Sequence, residues 1–284
     1  AYQKLRAQYN VDAVITHATP VSLAVQPLAA KDDVLQMAVS ASALTYSTPN
    51  DLSFRTSAIT DFEAEPIATH IQKKGYTNIA FLYFQNDIGM SIKDSVKSAI
   101  TQTSPDTKVV LEDAFLIDTT DFRTSLTKIK QSGADVVYVA GLATNIANIL
   151  NQARELGISA DFLGFRASED PTLLQNAAET SEGFVYTYNF DASSESPLVQ
   201  AFVQKFRKAY NTDPDAYAAE GYLGLLLTAE AFATCGKDTT CIQTHLFGIQ
   251  QKPSIFGALS FDTNGDVSYP FFLKTVQDGA FTVL

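Results

Sequence analysis

Four short segments, each following an apolar run, hold the side chains of this sequence best suited to gripping a small molecule. They are His17-Ala18-Thr19, Ser40-Ala41-Ser42, Phe84-Gln85-Asn86 and Gly164-Phe165-Arg166. Hydroxyls and amides that converge at helix starts offer hydrogen-bond donors where the helix already favours negative charge, a setting that suits a carboxylate. Arg166 would add a fixed positive charge. Hydroxyls at helix starts also act simply as caps, and Thr19 and Ser40 fit that plainer role equally well. Other chemistry has little to stand on. The sequence contains no Gly-x-Ser-x-Gly elbow, phosphate loop, Gly-x-Gly-x-x-Gly or His-Glu-x-x-His. Its three histidines, His17, His70 and His245, are far apart and lack metal-ligand spacing. Asp262-x-Asn264-x-Asp266 begins like a calcium loop but lacks the sixth-position Gly and the twelfth-position Glu, so it reads as an Asn-Gly turn. No catalytic residue, metal or cofactor is expected.

Such segments need strands to carry them, and residues 134–166 predict how. Val136 to Val139 is an unbroken apolar run, which suits a strand covered on both faces. After Ala140-Gly141, Thr144 or Asn145 would cap a helix with Ile146, Ile149, Leu150, Ala153 and Leu156 on one face. Gly157 closes it, and Phe162-Leu163-Gly164 begins a strand that runs out at Arg166. A strand, helix and strand of this length form a right-handed crossover in a parallel sheet. Ligands of such sheets collect at the carboxyl ends of the strands, here Leu142, Ala143 and Arg166. The same alternation predicts strands over residues 11–15, 34–39, 52–56, 78–84, 109–114 and 183–188. Helices are expected over 20–31, 63–74, 91–100, 122–132, 170–178, 198–210, 216–234 and 240–247. The tail changes character: 257–261 and 269–276 read as hairpin strands around Asp262-Thr263-Asn264-Gly265-Asp266. No repeat of 20–50 residues stands out.

A chain of 284 residues is too long for one minimal core and suits two lobes. Apolar residues make up 46% of it, yet residues 223–227, the most apolar stretch, are interrupted within a turn by Glu230 and read as a buried helix. A formal net charge of −11 argues against nucleic acid and anionic membranes as partners. Cys235 and Cys241, the only cysteines, flank the polar insert Gly236-Lys237-Asp238-Thr239-Thr240. A disulfide and an oxidising compartment are the favoured reading, with two reduced thiols as the alternative. The sequence opens on AYQKLRAQYN, already amphipathic helix, so an upstream segment is expected.

The blocks VDAVITHATPVSLAVQPLA, ALTYSTPNDLSFRTS, IAFLYFQNDIGMS, DFRTSLTKIKQSGADVVYVAG, DAYAAEGYLG and GALSFDTNGDVSYPFFLKTVQDG cover nearly the whole chain. Together they resemble the type I periplasmic solute-binding proteins of ABC transporters, in their branched-chain amino acid branch. The resemblance implies an α/β fold of two Rossmann-like lobes with parallel sheets, joined by a three-strand hinge and closing around a solute in the interlobe cleft. It divides the chain into residues 1–57 plus 191–270 and residues 58–190 plus 271–284. Crossings are expected near 56–61, 188–191 and 269–272, and the first strand, helix and strand of the N-terminal lobe are missing. It further implies a monomeric, non-enzymatic protein with a permease partner, periplasmic or extracellular after removal of a signal peptide, with or without a lipid anchor. A ligand-sensing receptor or regulator domain of the same fold is the alternative.

Carried over residue by residue, the family's amino-acid site gives two matches and three departures. Its carboxylate-binding Ser falls on Thr19, and its next hydroxyl on Ser40, with Ser42 as substitute and Ala38 offering backbone. Its Tyr before Gly becomes Ile88, its later aromatic becomes Leu142, and the acid that neutralises the solute ammonium becomes Arg166. Phe84 and Phe165 join the implied lining, and Tyr222 adds to the wall or packs in the core. A guanidinium 4 Å from an ammonium at an effective dielectric near 20 costs about 4 kcal/mol, whereas a fork to a carboxylate contributes about 1.5–3 kcal/mol. The expectation is therefore a small carboxylate-bearing solute, aromatic, aliphatic or amino-acid-like, with an amino acid disfavoured unless Glu169 or Asp170 offsets Arg166.

Overall fold

Short apolar runs alternating with amphipathic stretches become strands and helices in two compact units; the computed structural model describes residues 1–49 and 51–284. One unit comprises Ala1–Ile59 and Asn189–Pro270, the other Thr60–Tyr188 and Phe271–Leu284. The chain therefore passes from one to the other after residues 59, 188 and 270.

The first stretch of unit 1 holds α1 (Tyr2–Tyr9), β1 (Ala13–His17), α2 (Thr19–Lys31), β2 (Leu35–Val39) and β3 (Ser53–Arg55). The strands form a parallel sheet in the order β1-β2-β3. Every residue of β2 is buried, which explains why Leu35 to Val39 shows no polar alternation. Tyr2 anchors α1 against Ala29 and Val34.

Unit 2 follows with α3 (Thr60–Lys74), β4 (Asn78–Phe84), α4 (Asp87–Thr103), β5 (Lys108–Phe115), α5 (Arg123–Ser132), β6 (Val136–Ala140), α6 (Ala143–Glu155), β7 (Asp161–Gly164), α7 (Pro171–Ala177) and β8 (Val185–Tyr188). The chain returns to unit 1 for α8 (Pro197–Tyr210), α9 (Ala216–Cys235), α10 (Thr239–Phe247), β9 (Lys252–Ser254), β10 (Gly257–Phe261) and β11 (Val267–Ser268). It ends in unit 2 with β12 (Phe272–Gln277) and β13 (Ala280–Val283), completing a seven-stranded sheet in the order β13-β12-β8-β7-β6-β4-β5. From β5 to β8 this sheet is parallel; β12 and β13 join antiparallel. Because β4 is followed by β5 on one side and flanked by β6 on the other, the connections diverge there. That divergence is the switch point at which doubly wound sheets open a crevice at their carboxyl edge.

Two local expectations are corrected. Residues 269–276 do not pair with 257–261: the hairpin partner of β10 is the two-residue β11, and β12 lies in the other unit's sheet. The turn between β10 and β11 requires glycine, since Gly265 has φ +73° and a Cβ there would lie 2.2 Å from the Ser53 carbonyl oxygen. Neither Thr144 nor Asn145 is the N-cap of α6; Leu142 is, and Asn145 reaches back to accept from its amide at 3.1 Å. Cys235 and Cys241 form a disulfide between the end of α9 and the start of α10. Among the described residues no helix is long and apolar enough to cross a membrane.

Candidate functional site

In unit 1 the carboxyl ends of β1, β2 and β3 bring together the hydroxyls singled out in the sequence. Thr19 opens α2 directly after β1 and is buried at 6% exposure. No side chain caps α2; Pro20 has no amide hydrogen and the Ser22 amide donates to the Ala18 carbonyl at 3.0 Å, which leaves the Thr19 and Val21 amides for an acceptor. Ser22 does not serve there: its hydroxyl bonds to Ala18 carbonyl and Thr16, both at 2.9 Å, in the interior. Ala38 is committed to the sheet, since its carbonyl accepts the Thr56 amide at 2.9 Å. Ser42 is buried in the loop after β2, and His17 is exposed.

Ser40 has a partner the sequence reading missed. It adopts φ +55°, and both its amide and its hydroxyl donate to Glu220 Oε2, at 3.1 and 3.3 Å. A hydroxyl that gives its one proton to Glu220 has only lone pairs left to offer. In this structure that proton goes to a carboxylate of the protein. Glu220 also accepts from Ser57 Oγ at 2.5 Å and, through Oε1, from Asn189 Nδ2 at 3.4 Å, while the Tyr269 hydroxyl shares its one proton between Oε1 at 3.3 Å and the Thr56 carbonyl at 3.0 Å. The signal was present: Glu220 shares the buried stripe of α9 with Ala216, Leu223, Gly224, Leu227 and Ala231. Tyr222, two residues on and so nearly opposite, lays its ring 4.7 Å from that of Phe202 and packs against α8.

The loop after β2 is held from below by Arg55, the largest side chain buried in full. Its Nη1 donates to the Ala41 and Ala43 carbonyls at 2.8 and 2.9 Å, Nε to Asp266 at 2.6 Å, and Nη2 to Ser47. Burial pushes its pKa down and Asp266 pulls it back up.

In unit 2 the residues after β4, β6 and β7 lie at adjacent strand ends. Ile88, in the first turn of α4, is half-buried, and Leu142 is 40% exposed. Asn86 caps α4 by accepting from Gly89 at 2.9 Å. Phe84 and Phe165 turn inward: both are buried, Phe84 with its ring 5.3 Å from Phe115. Arg166 is buried too, at 4% exposure. Its amide donates to Glu63 Oε1 at 2.7 Å and its Nε forms an ion pair with Glu63 Oε2 at 3.9 Å; Thr187 Oγ1 also donates to Oε1, at 3.0 Å. Glu169 and Asp170 do not take the offsetting role. Glu169 pairs with Lys274 at 2.6 Å and accepts from Tyr186, and Asp170 caps α7. Burial, with the charge of Glu63 adding to it, pushes the Tyr138 phenol well above its ordinary range. Glu63 was legible on the same grounds as Glu220, four residues before the buried Ile67 on α3. No cluster of metal-ligating side chains occurs among the described residues.

Each unit thus places a buried glutamate beneath the strand ends that carry its candidate residues. With this arrangement in hand, known proteins provide the comparison. The sequence profile of the family described as periplasmic binding protein matches residues 1–280. A Leu/Ile/Val-binding protein homolog of Brucella abortus is 27% identical over 191 residues, 67% of this chain and 50% of that protein. The Leu/Ile/Val-binding protein of Citrobacter freundii is 26% identical over 221 residues, 76% and 58% of the two chains. The chain spans about half the length of the curated relatives it matches. Among solved structures, a leucine-binding protein of Thermotoga maritima superposes with TM-score 0.88 at 21% identity, covering 99% of this chain and 81% of that one. A solute-binding protein of R. palustris in complex with benzoate gives 0.85 at 18%, covering 99% and 79%. A branched-chain amino acid binding protein of Streptococcus pneumoniae in complex with isoleucine gives 0.85 at 23%, covering 99% and 81%. At these identities the structural likeness establishes the fold.

Proposed function

Because this chain belongs to the periplasmic binding protein family, we propose that it is the extracytoplasmic, non-catalytic solute-binding component of an ABC importer and takes a small carboxylate-bearing molecule. The observation that carries the reading is Thr19. It opens a thirteen-residue helix that no side chain caps, at the carboxyl end of β1. A hydroxyl and the Thr19 and Val21 amides, with the helix dipole behind them, favour an anion. Within unit 2, taken by itself, Ile88 and Leu142 are the apolar residues proposed to meet solute, and Arg166 is paired with Glu63.

That pair widens the solute class relative to a bare guanidinium. A cation sharing its charge with a carboxylate 3.9 Å away repels an ammonium far less than the unpaired group would. Both benzoate-like acids and zwitterionic amino acids then stay in range. The proteins compared above are described with benzoate and with isoleucine, and both belong in the test. Calorimetric titration with benzoate, 4-hydroxybenzoate, leucine and isoleucine should find at least one that binds, and native mass spectrometry should show one solute per chain. Failure of every acid, with binding of an uncharged solute, would refute the proposal.

A further inference from the structure

Glu220 collects hydrogen bonds from four separate stretches of chain. Ser57 stands two residues before the first passage between units, Asn189 is the first residue after the second, and Tyr269 is next to last before the third. The fourth stretch carries Ser40, which follows β2 and belongs to the candidate solute site. The side chain is fully buried on α9, a helix that packs closely enough on β2 to bring Gly224 against Met37 and Val39. A carboxyl group is tolerated in such a place only where hydrogen bonds replace water, and one group shared among four segments makes their positions interdependent. Ser40 also sits at a positive φ that a serine seldom adopts unaided.

We propose that Glu220 is a positioning residue for the solute site, holding Ser40 in place and coupling it to the chain at all three passages. The inference rests on the reading above for where solute binds, but the coupling can be tested without any solute. Asn189 Oδ1 is buried without a partner, which provides a discriminating variant. In Glu220→Gln the new carbonyl can keep the Oε2 bonds, and a flip of the Asn189 amide would turn its oxygen toward the new NH2. Glu220→Met keeps the volume and removes every acceptor.

The experiment is amide hydrogen exchange on the full chain, with and without whichever panel acid the parent binds. Glu220→Met should raise exchange together at residues 38–42, 56–59, 188–190 and 268–270 and weaken the acid about tenfold or more, an effect of the size expected for lost hydrogen bonds to a charged group. Glu220→Gln should restore both. Thr228→Val, which removes a buried hydroxyl bonded only within α9, should lower stability with affinity unchanged. If Glu220→Met fails to fold, Ser57→Ala answers the same question: faster exchange at 38–42 as well as 56–59 supports the coupling, and a change confined to 56–59 overturns it. Parent-like behaviour of Glu220→Met, or Glu220→Gln no better than Met, also overturns it. A parent that binds no acid refutes the solute reading and leaves the exchange result to decide this one.

Discussion

The Ser40 amide and hydroxyl both point at one oxygen of Glu220, at 3.1 and 3.3 Å. That relationship divides the two hydroxyls of the unit 1 site into different roles. Ser40 gives its proton to Glu220, whereas Thr19 stands at the start of an uncapped helix and is the residue proposed above to meet the acid.

Thr19→Val keeps the shape and deletes the hydroxyl. A hydrogen bond to a charged group contributes about 1.5–3 kcal/mol, so the affinity for the bound acid should fall by that amount. Thermal unfolding should move little, and calorimetry against the parent measures both parts. Loss of stability with unchanged affinity would assign Thr19 to structure alone.

Glu63→Gln removes the carboxylate beside Arg166. Leaving a buried charge without its partner typically costs on the order of 3–5 kcal/mol, and urea unfolding should report a loss of that order. The selectivity should move as well. With that carboxylate gone, isoleucine should weaken relative to benzoate, and a competition titration reads the ratio directly. An unchanged ratio would remove Arg166 from the solute's surroundings.

Arg55→Lys tests the support under the loop after β2. Lysine keeps the charge but lacks the planar fork that reaches Asp266, Ala41 and Ala43 together. Carbonyls and a carboxylate left short of donors in a fully buried site should cost about 3 kcal/mol, seen as a lower urea midpoint with the slope unchanged.

Much of this arrangement was legible beforehand. Residues 134–166 predicted the β6–α6–β7 crossover because Val136 to Val139 is continuously apolar and Gly157 closes the helix. The blocks quoted from 11–29 and 257–279 pointed to the family and hence to two sheets. The partner of β10 was misassigned because Tyr269 to Val276 has strand composition whichever sheet receives it, and only the chain's return to the other unit decides. The glutamates escaped for a different reason. Single acids on helices are usually solvated, and Glu63 and Glu220 become significant only when the apolar stripe around each is traced: Ile67 and Ile71 for one, Leu223 and Leu227 for the other. Arg166 was read as a charge awaiting a solute because its partner lies 103 residues earlier in the chain.

His70 supplies a pH signature. It is buried on α3, and desolvation, with Lys74 and Lys73 adding to it against Asp161, lowers its pKa in the folded state. The unfolded chain therefore takes up the proton first as pH falls. The contribution of His70 to stability is complete above its unfolded value, about 6.5, and is lost as pH drops through the depressed folded value. Urea midpoints should thus fall between about pH 7 and pH 5, and His70→Gln should flatten that interval. A midpoint that rises on acidification through the same range would contradict the assignment.

The central claim is that this protein selects a solute by its carboxylate. Calorimetry with two acid–amide pairs, benzoate with benzamide and isoleucine with isoleucinamide, tests it most directly. At least one acid should bind while its amide binds about a hundredfold more weakly or not at all, since the amide loses roughly 3 kcal/mol of charge-assisted hydrogen bonding. Equal binding of acid and amide would contradict the account.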